Sequence, residues 1–160
     1  MDIRPSDDVN AVVQLHRAVY EGEFGLDESF AREVAMRLAE LRRAGFPGPR
    51  EGLWLAEAED ATVGSITLNE EDARLGRLGH LVLLPEARGT GAGRRLVEAV
   101  LNAARAAGYE HLELYTFSDL DAAGGLYRSV GFERVSGERV LRWGRRMEWE
   151  RYELALASAG

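Results

Sequence analysis

Between Pro85 and Leu101 the chain reads PEARGTGAGRRLVEAVL, and this stretch holds the residues best suited to chemistry. Gly89, Gly91 and Gly93 alternate with Thr90 and Ala92, while Arg88, Arg94 and Arg95 surround them. Glycine lets a ligand approach the main chain closely and accepts positive φ without steric cost. A helix starting here offers N–H groups that lack intrahelical partners, together with a positive dipole end, and both welcome phosphate. A strand, a glycine-rich turn and a helix therefore make a diphosphate cradle, with arginines adding charge around it.

Two familiar cradles are tested by spacing. A P-loop requires G-x-x-x-x-G-K-[ST], and the chain has no lysine, its 20 basic residues all being arginine. A dinucleotide fingerprint requires G-x-G-x-x-G; here Gly91-Ala92-Gly93 is followed by Leu96, and Gly89-Thr90-Gly91 by Arg94, so both registers miss. The pattern that fits is R-x-x-G-x-G, met by Arg88, Gly91 and Gly93. Metal chemistry has no support: the three histidines, His16, His80 and His111, show no ligand spacing, and there is no cysteine.

The elements that must hold this turn follow from patterning. DIRP is a short strand, and Ser6 or Asp7 caps a helix carrying Val9, Val12, Val13 and Val19. GEFGLDES interrupts it, and Asp27 or Ser29 opens a second helix to about Ala44. GLWLAEAED and ATVGSITLN form a hairpin turning at Glu59-Asp60-Ala61, and ARLGRLGHLVLL is the next strand. A helix from about Gly91 to Ala107 buries Leu96, Val97, Val100, Leu101 and Ala104, with Gly108 as its C-cap. HLELYTF is a strand, LDAAGGLYRSV a helix closed by Gly131, and FERVSGERV and MEWERYELAL are the final strands. The order is β-α-α-β-β-β-α-β-α-β-β, a mixed α/β class, and the 160 residues suit a single domain.

Bulk charge limits the partners. The net charge of −7 argues against a nucleic-acid binder. No apolar run approaches the roughly 20 residues of a membrane helix, and the acidic start argues against a cleaved secretory signal, so the expected address is cytoplasmic. The charge is uneven: residues 1–73 hold 7 arginines against 16 acids, and residues 74–160 hold 13 against 11.

Arg88-x-x-Gly91-x-Gly93 after LVLLP, joined to LYRSVGFERV downstream, resembles the GCN5-related N-acetyltransferase (GNAT) superfamily. The resemblance spans nearly the whole chain. YEGEFGLDESF, LLPEARGTGAGRRLV, TFSDLDAAGGLYRSVGF and RYELAL look most like the acetyltransferase half of bacterial MarR–GNAT fusion regulators, without room for the winged helix. The implied fold is a mostly antiparallel central sheet of about seven strands with helices on both faces.

The resemblance implies an acetyl-CoA-dependent N-acetyltransferase that needs no metal. Leu81, Val82 and Leu83 match the strand whose exposed main chain pairs with pantetheine, and the Leu83 amide would polarise the thioester carbonyl. Arg88, Gly89, Thr90, Gly91, Ala92, Gly93 and Arg94 match the loop that wraps the diphosphate. Tyr127, four residues before Gly131, matches the tyrosine facing the coenzyme sulfur. Its phenol, with an ordinary pKa near 10, stays protonated at neutral pH and suits a proton donor to the leaving thiolate.

One departure is Leu120, where many relatives carry a pantetheine-binding asparagine; Ser118 or Asp119 could replace that contact. Gly124-Gly125 inside a helix would suit close approach of the backbone to the coenzyme, or be a local weakness. The general base stays open among His80, Glu113, Tyr115 and Glu23.

In relatives the acceptor lies between the loop joining the first two helices and the last hairpin. Here the loop is acidic (Glu21, Glu23, Asp27, Glu28) and would attract a cationic amine, or be only a solvated surface. The hairpin's Arg139, Arg142, Arg145 and Arg146 around Trp143 could meet an acidic acceptor, a second subunit of a homodimer, or water. The competing reading is an acyl-CoA-binding sensor or partner module of the same fold, without efficient turnover.

Overall fold

Seven strands form one sheet in the order β1-β2-β3-β4-β5-β7-β6. They are β1 (Asp2–Ser6), β2 (Gly52–Ala58), β3 (Ala61–Glu70), β4 (Leu75–Leu83), β5 (His111–Phe117), β6 (Glu133–Arg142) and β7 (Arg145–Ala155). The helices are α1 (Val9–His16), α2 (Glu28–Arg43), α3 (Ala92–Ala107) and α4 (Asp121–Ser129). The structure is a computed structural model that describes residues 1–117 and 121–156. Every neighbouring pair of strands is antiparallel except β4–β5, which is parallel. The element order is the expected one. Among the described residues no helix is long and apolar enough to cross a membrane.

Alternation along the strands feeds two apolar layers. On one face α3 supplies Leu96, Val97, Val100, Leu101 and Ala104 to a core with Ile66, Leu68 and Leu112. On the other, Val12, Leu15, Phe30, Val34 and Leu38 of α1 and α2 cover Leu53, Leu55 and Val82. Helices thus flank both faces.

Two boundaries differ from the sequence expectation. The N-cap of α1 is Asp8, whose carboxylate accepts from the Ala11 amide at 3.1 Å, rather than Ser6 or Asp7. Ser6 is consumed elsewhere: it pairs with Leu53 in the sheet, and its hydroxyl accepts from the Asp8 amide. The first helix ends at His16, and Arg17–Glu21 widens into a π-helical turn that still buries Val19 and Tyr20. The α2 cap is Asp27, one of the two residues expected there, rather than Ser29.

The parallel seam is short. β4 and β5 pair only as Leu75–His111, Gly76–Leu112 and Arg77–Glu113. The buried Glu113 carboxylate closes the seam, accepting from Arg77 at 2.9 Å and from Arg151 of β7 at 2.9 Å. Beyond Arg77 the two strands part.

Candidate active site

The site begins at a bulge in β4. Thr67 of β3 faces Gly79 and Ser65 faces Val82, so β4 has an extra residue between these pairs. His80 takes it up at φ +53°, which re-aims its ring, while the Ser65 hydroxyl donates to the His80 carbonyl at 2.8 Å. Past the bulge, the Leu84 amide bonds the Val63 carbonyl of β3, whereas the Leu83 carbonyl accepts from Arg88 at 3.1 Å. A strand residue's N–H and C=O point to the same side, so Leu83, and by alternation Leu81, present main-chain groups to the gap beside β5. Val82 lies between them, turned toward β3, with its side chain buried in the α1–α2 core.

The glycine turn follows directly. Gly89 and Gly91 have φ of +74° and +86°, a region that L side chains enter only at a cost. Gly91 is the N-cap of α3 and brings no side-chain acceptor. The first-turn amides of α3 are thus not satisfied by a capping side chain, except that Ala92 donates to the Thr90 hydroxyl at 3.3 Å. Gly93 is needed for a different reason: a Cβ there would lie 3.2 Å from both Leu83 and Leu126, so it lets α3 approach β4 and α4. Arg94 reaches Ser129 of α4 at 2.9 Å.

Arg88 is already engaged. It forks onto Glu23 of the α1–α2 loop at 2.5 and 2.7 Å, and this hydrogen-bonded pair holds the Glu23 carboxyl below its usual range.

A cavity of about 440 Å³ opens where β4 and β5 part. Its inner wall includes Gly79, His80, Leu81 and Tyr127. Tyr127 and Leu78 belong to the α3-side core, and Phe30, Val34 and Phe117 to the other, so the cavity passes between the strands from one layer to the other. The Tyr127 ring packs on Phe132 and Tyr152 at centroid distances of 5.9 and 6.2 Å. Burial pushes its phenol pKa up, which keeps the proton on.

Two histidines meet at this wall, rings edge-on with centroids 5.5 Å apart. His16 is buried, with Nδ1 2.7 Å from the Val12 carbonyl, and desolvation lowers its pKa to about 4. His80 is partly accessible through the cavity, with Nδ1 2.9 Å from the Thr67 hydroxyl. Desolvation, helped by His16 and Arg37, lowers it to about 3, so both rings are neutral at pH 7.

The outer part is aromatic. Phe30, Glu33, Val34 and Arg37 form one stripe of α2, and Trp143, Trp149 and Arg142 come from the β6–β7 hairpin. The hairpin tip is fastened to the helices: Trp143 donates its indole N–H to Glu33, and its carbonyl accepts from the Asp27 amide at 3.0 Å. Arg145 adds a bond to the Phe24 carbonyl at 3.1 Å.

Of the four proposed bases, His80 and Tyr115 line the cavity. Glu113 is clamped by Arg77 and Arg151, and Glu23 by Arg88. Ser118, Asp119 and Leu120 lie outside the described residues. The aromatic wall went unassigned in the sequence; its one local signal was the i, i+3, i+4, i+7 spacing of the α2 stripe, which by itself reads as ordinary amphipathicity. Among the described residues no group of three or more potential metal ligands comes together.

Comparison with known proteins agrees with this architecture. Human N-acetyltransferase 8B is 34% identical over 116 residues, which is 67% of this chain and 51% of that protein. Mycothiol acetyltransferase of Beutenbergia cavernae is 33% identical over 118 residues, 68% of this chain and 38% of that one. The chain thus spans about half or less of the length of these curated relatives. In fold it is similar to yncA of Salmonella typhimurium, solved with its cofactor acetyl-CoA: the TM-score is 0.79 at 18% identity, covering 100% of this chain and 96% of that one. The model of the acetyltransferase (GNAT) family matches residues 10–132. With the split β4–β5 seam and the glycine-rich entrance to α3, that match means that the chain belongs to the GNAT family.

Proposed function

We propose that this chain is an acetyl-CoA-dependent N-acetyltransferase, a single domain over residues 1–160 that acetylates an amine of a small molecule or peptide. The observation that carries the reading is one juxtaposition. Unpaired main chain of β4 lies beside a glycine-rich helix entrance without a side-chain cap, and a cavity lined by both Leu81 of that strand and Tyr127 opens next to it. These residues fit the coenzyme chemically. Amides from Gly89 to Arg94 receive the diphosphate, with Arg88 and Arg94 supplying charge, and the Leu81–Leu83 main chain pairs with the amide-bearing pantetheine arm.

In the reaction the free-base amine attacks the thioester carbonyl; a C–N bond forms and the C–S bond breaks. The Leu83 N–H stabilises the oxyanion, and Tyr127 donates its proton or a hydrogen bond to the departing thiolate. The amine's own proton leaves to water through the open mouth, with neutral His80 accepting a hydrogen bond from the nucleophile. No metal takes part in this scheme.

The four segments read above support a kinship with the acetyltransferase half of MarR–GNAT regulators. The exposed edge strand β6, with Val135 and Leu141 outward, suits a homodimer. We take the compartment to be the cytoplasm, on composition.

The test is calorimetric titration with coenzyme A and acetyl-CoA, followed by thiol release with amine acceptors. Binding with turnover is expected; no heat from either coenzyme would overturn the reading. Acyl-CoA sensing without turnover is the second reading, favoured by the clamping of both Glu23 and Glu113. Binding without thiol release across acceptors would select it.

A further inference from the structure

The cavity's charges and walls are chemically specific. Its outer part carries two arginines, Arg37 of α2 and Arg142 of β6, and neither has a carboxylate partner among the described residues. Arg142 lies over the Trp143 and Trp149 rings, its guanidinium carbon 5.9 and 5.4 Å from their centroids, which holds the cation at the aromatic wall. Among the described residues the one acid on the lining, Glu33, accepts the Trp143 indole N–H. Both lining histidines are neutral. Counted over the described residues, the fixed charge along the cavity is therefore one carboxylate against two guanidiniums, a net positive lining. The acidic loop expected to draw in a cation is spoken for in part, since Glu23 is neutralised by Arg88.

Such a lining disfavours a polycation and leaves two guanidiniums for an anionic group, which arginine binds through paired N–H donors. The walls between those arginines and the Tyr127 end are Phe30, Phe117, Trp143 and Trp149, suited to an aromatic or bulky apolar body. The cavity volume lies in the range of small-molecule sites, roughly 300–1,000 Å³.

We infer that the acceptor is an amine carrying both an aromatic or bulky apolar group and a carboxylate, an aromatic amino acid or short peptide with a free C-terminus being the simplest form. Arg37 and Arg142 take the carboxylate, the aromatic wall takes the apolar body, and the amine reaches the thioester beside His80 and Tyr127. This inference rests on the acetyltransferase reading above.

The experiment measures thiol release from acetyl-CoA with L-phenylalanine and glycyl-L-phenylalanine, each beside its C-terminal amide, and with L-alanine and spermidine. Coenzyme binding is followed by calorimetry on the same protein. The better phenylalanine compound should exceed its own amide, L-alanine and spermidine at least tenfold in kcat/KM. The double variant R37M/R142M should erase the preference over the amide through KM, with coenzyme affinity unchanged. An amide or spermidine that matches the carboxylated acceptor, with coenzyme still bound, overturns this inference and leaves the acetyltransferase reading standing. Retention of the preference in the folded double variant overturns it equally. Absence of coenzyme binding removes both.

Discussion

Arg88 has two anionic claims on it, the Glu23 carboxylate that it now holds and, in the proposed reading, the coenzyme diphosphate. Both residues of the pair are more than a third exposed, so the pair is worth no more than about 0.5–1 kcal/mol. Glu23→Gln should therefore free Arg88 and tighten coenzyme binding about two- to fivefold, read by calorimetry at low salt; weaker binding would mean that the pair positions the arginine. Tyr127 sits among Phe132 and Tyr152 with its phenol held in the neutral form. Tyr127→Phe keeps the ring packing and removes only the O–H. Turnover should fall by about 10²-fold or more, with coenzyme affinity within a factor of two. Loss of affinity in step with turnover would make Tyr127 a packing residue. The glycines and this tyrosine were legible in the sequence because what they supply is local: positive φ, bare amides, a phenol one turn from a helix end. The arginine clamps on Glu113 and Glu23 were not, since they join residues 36 and 65 positions apart.

At the scale of elements, the entrance to α3 and the bulge of β4 each carry a measurable cost. Gly91→Ala forces a methyl-bearing residue to φ +86°, with nothing near enough to clash, so the strain is purely of the backbone. It should lower stability by roughly 1–2 kcal/mol in urea unfolding and weaken coenzyme binding as the amides turn. The bulge brings His80 against His16, which the fold keeps neutral. Because the folded pKa of His16, about 4, lies below its unfolded value near 6.5, the unfolded chain binds more protons between those pH values. Stability should hold above pH 6.5 and fall as pH drops toward 4; His16 contributes up to about 1.4 kcal/mol per pH unit of that slope and His80 a similar share, so His16→Gln should reduce the slope by about half. A slope unchanged in the variant would assign acid lability elsewhere. The apolar stripe of α3 was readable because its period is helical. The cavity wall was not: it needs the Trp143 turn to meet α2, a contact spanning 110 residues that neither segment's pattern encodes.

At the scale of the molecule, the uneven charge along the chain does not carry over to the cavity, whose described lining includes Arg37 and Arg142. The sheet, too, differs from its strand count. Strands β1–β4 and β5–β7 meet through only three residue pairs, fastened by Glu113 between Arg77 and Arg151. Glu113→Gln removes the buried carboxylate that Arg77 and Arg151 share, leaving each with a more exposed partner, Glu71 and Glu153 respectively, and should cost about 2 kcal/mol, measured by denaturant unfolding. A narrow join in the middle of a sheet also has a kinetic signature. The amides of Leu81 and Leu83, which face the gap in the middle of the sheet, should exchange with deuterated solvent as quickly as those of a rim, while that of Val82, turned toward β3, stays protected. A molecule threaded along that slit would stitch the two leaves into one cooperative body, slowing exchange on both sides and sharpening the melting transition.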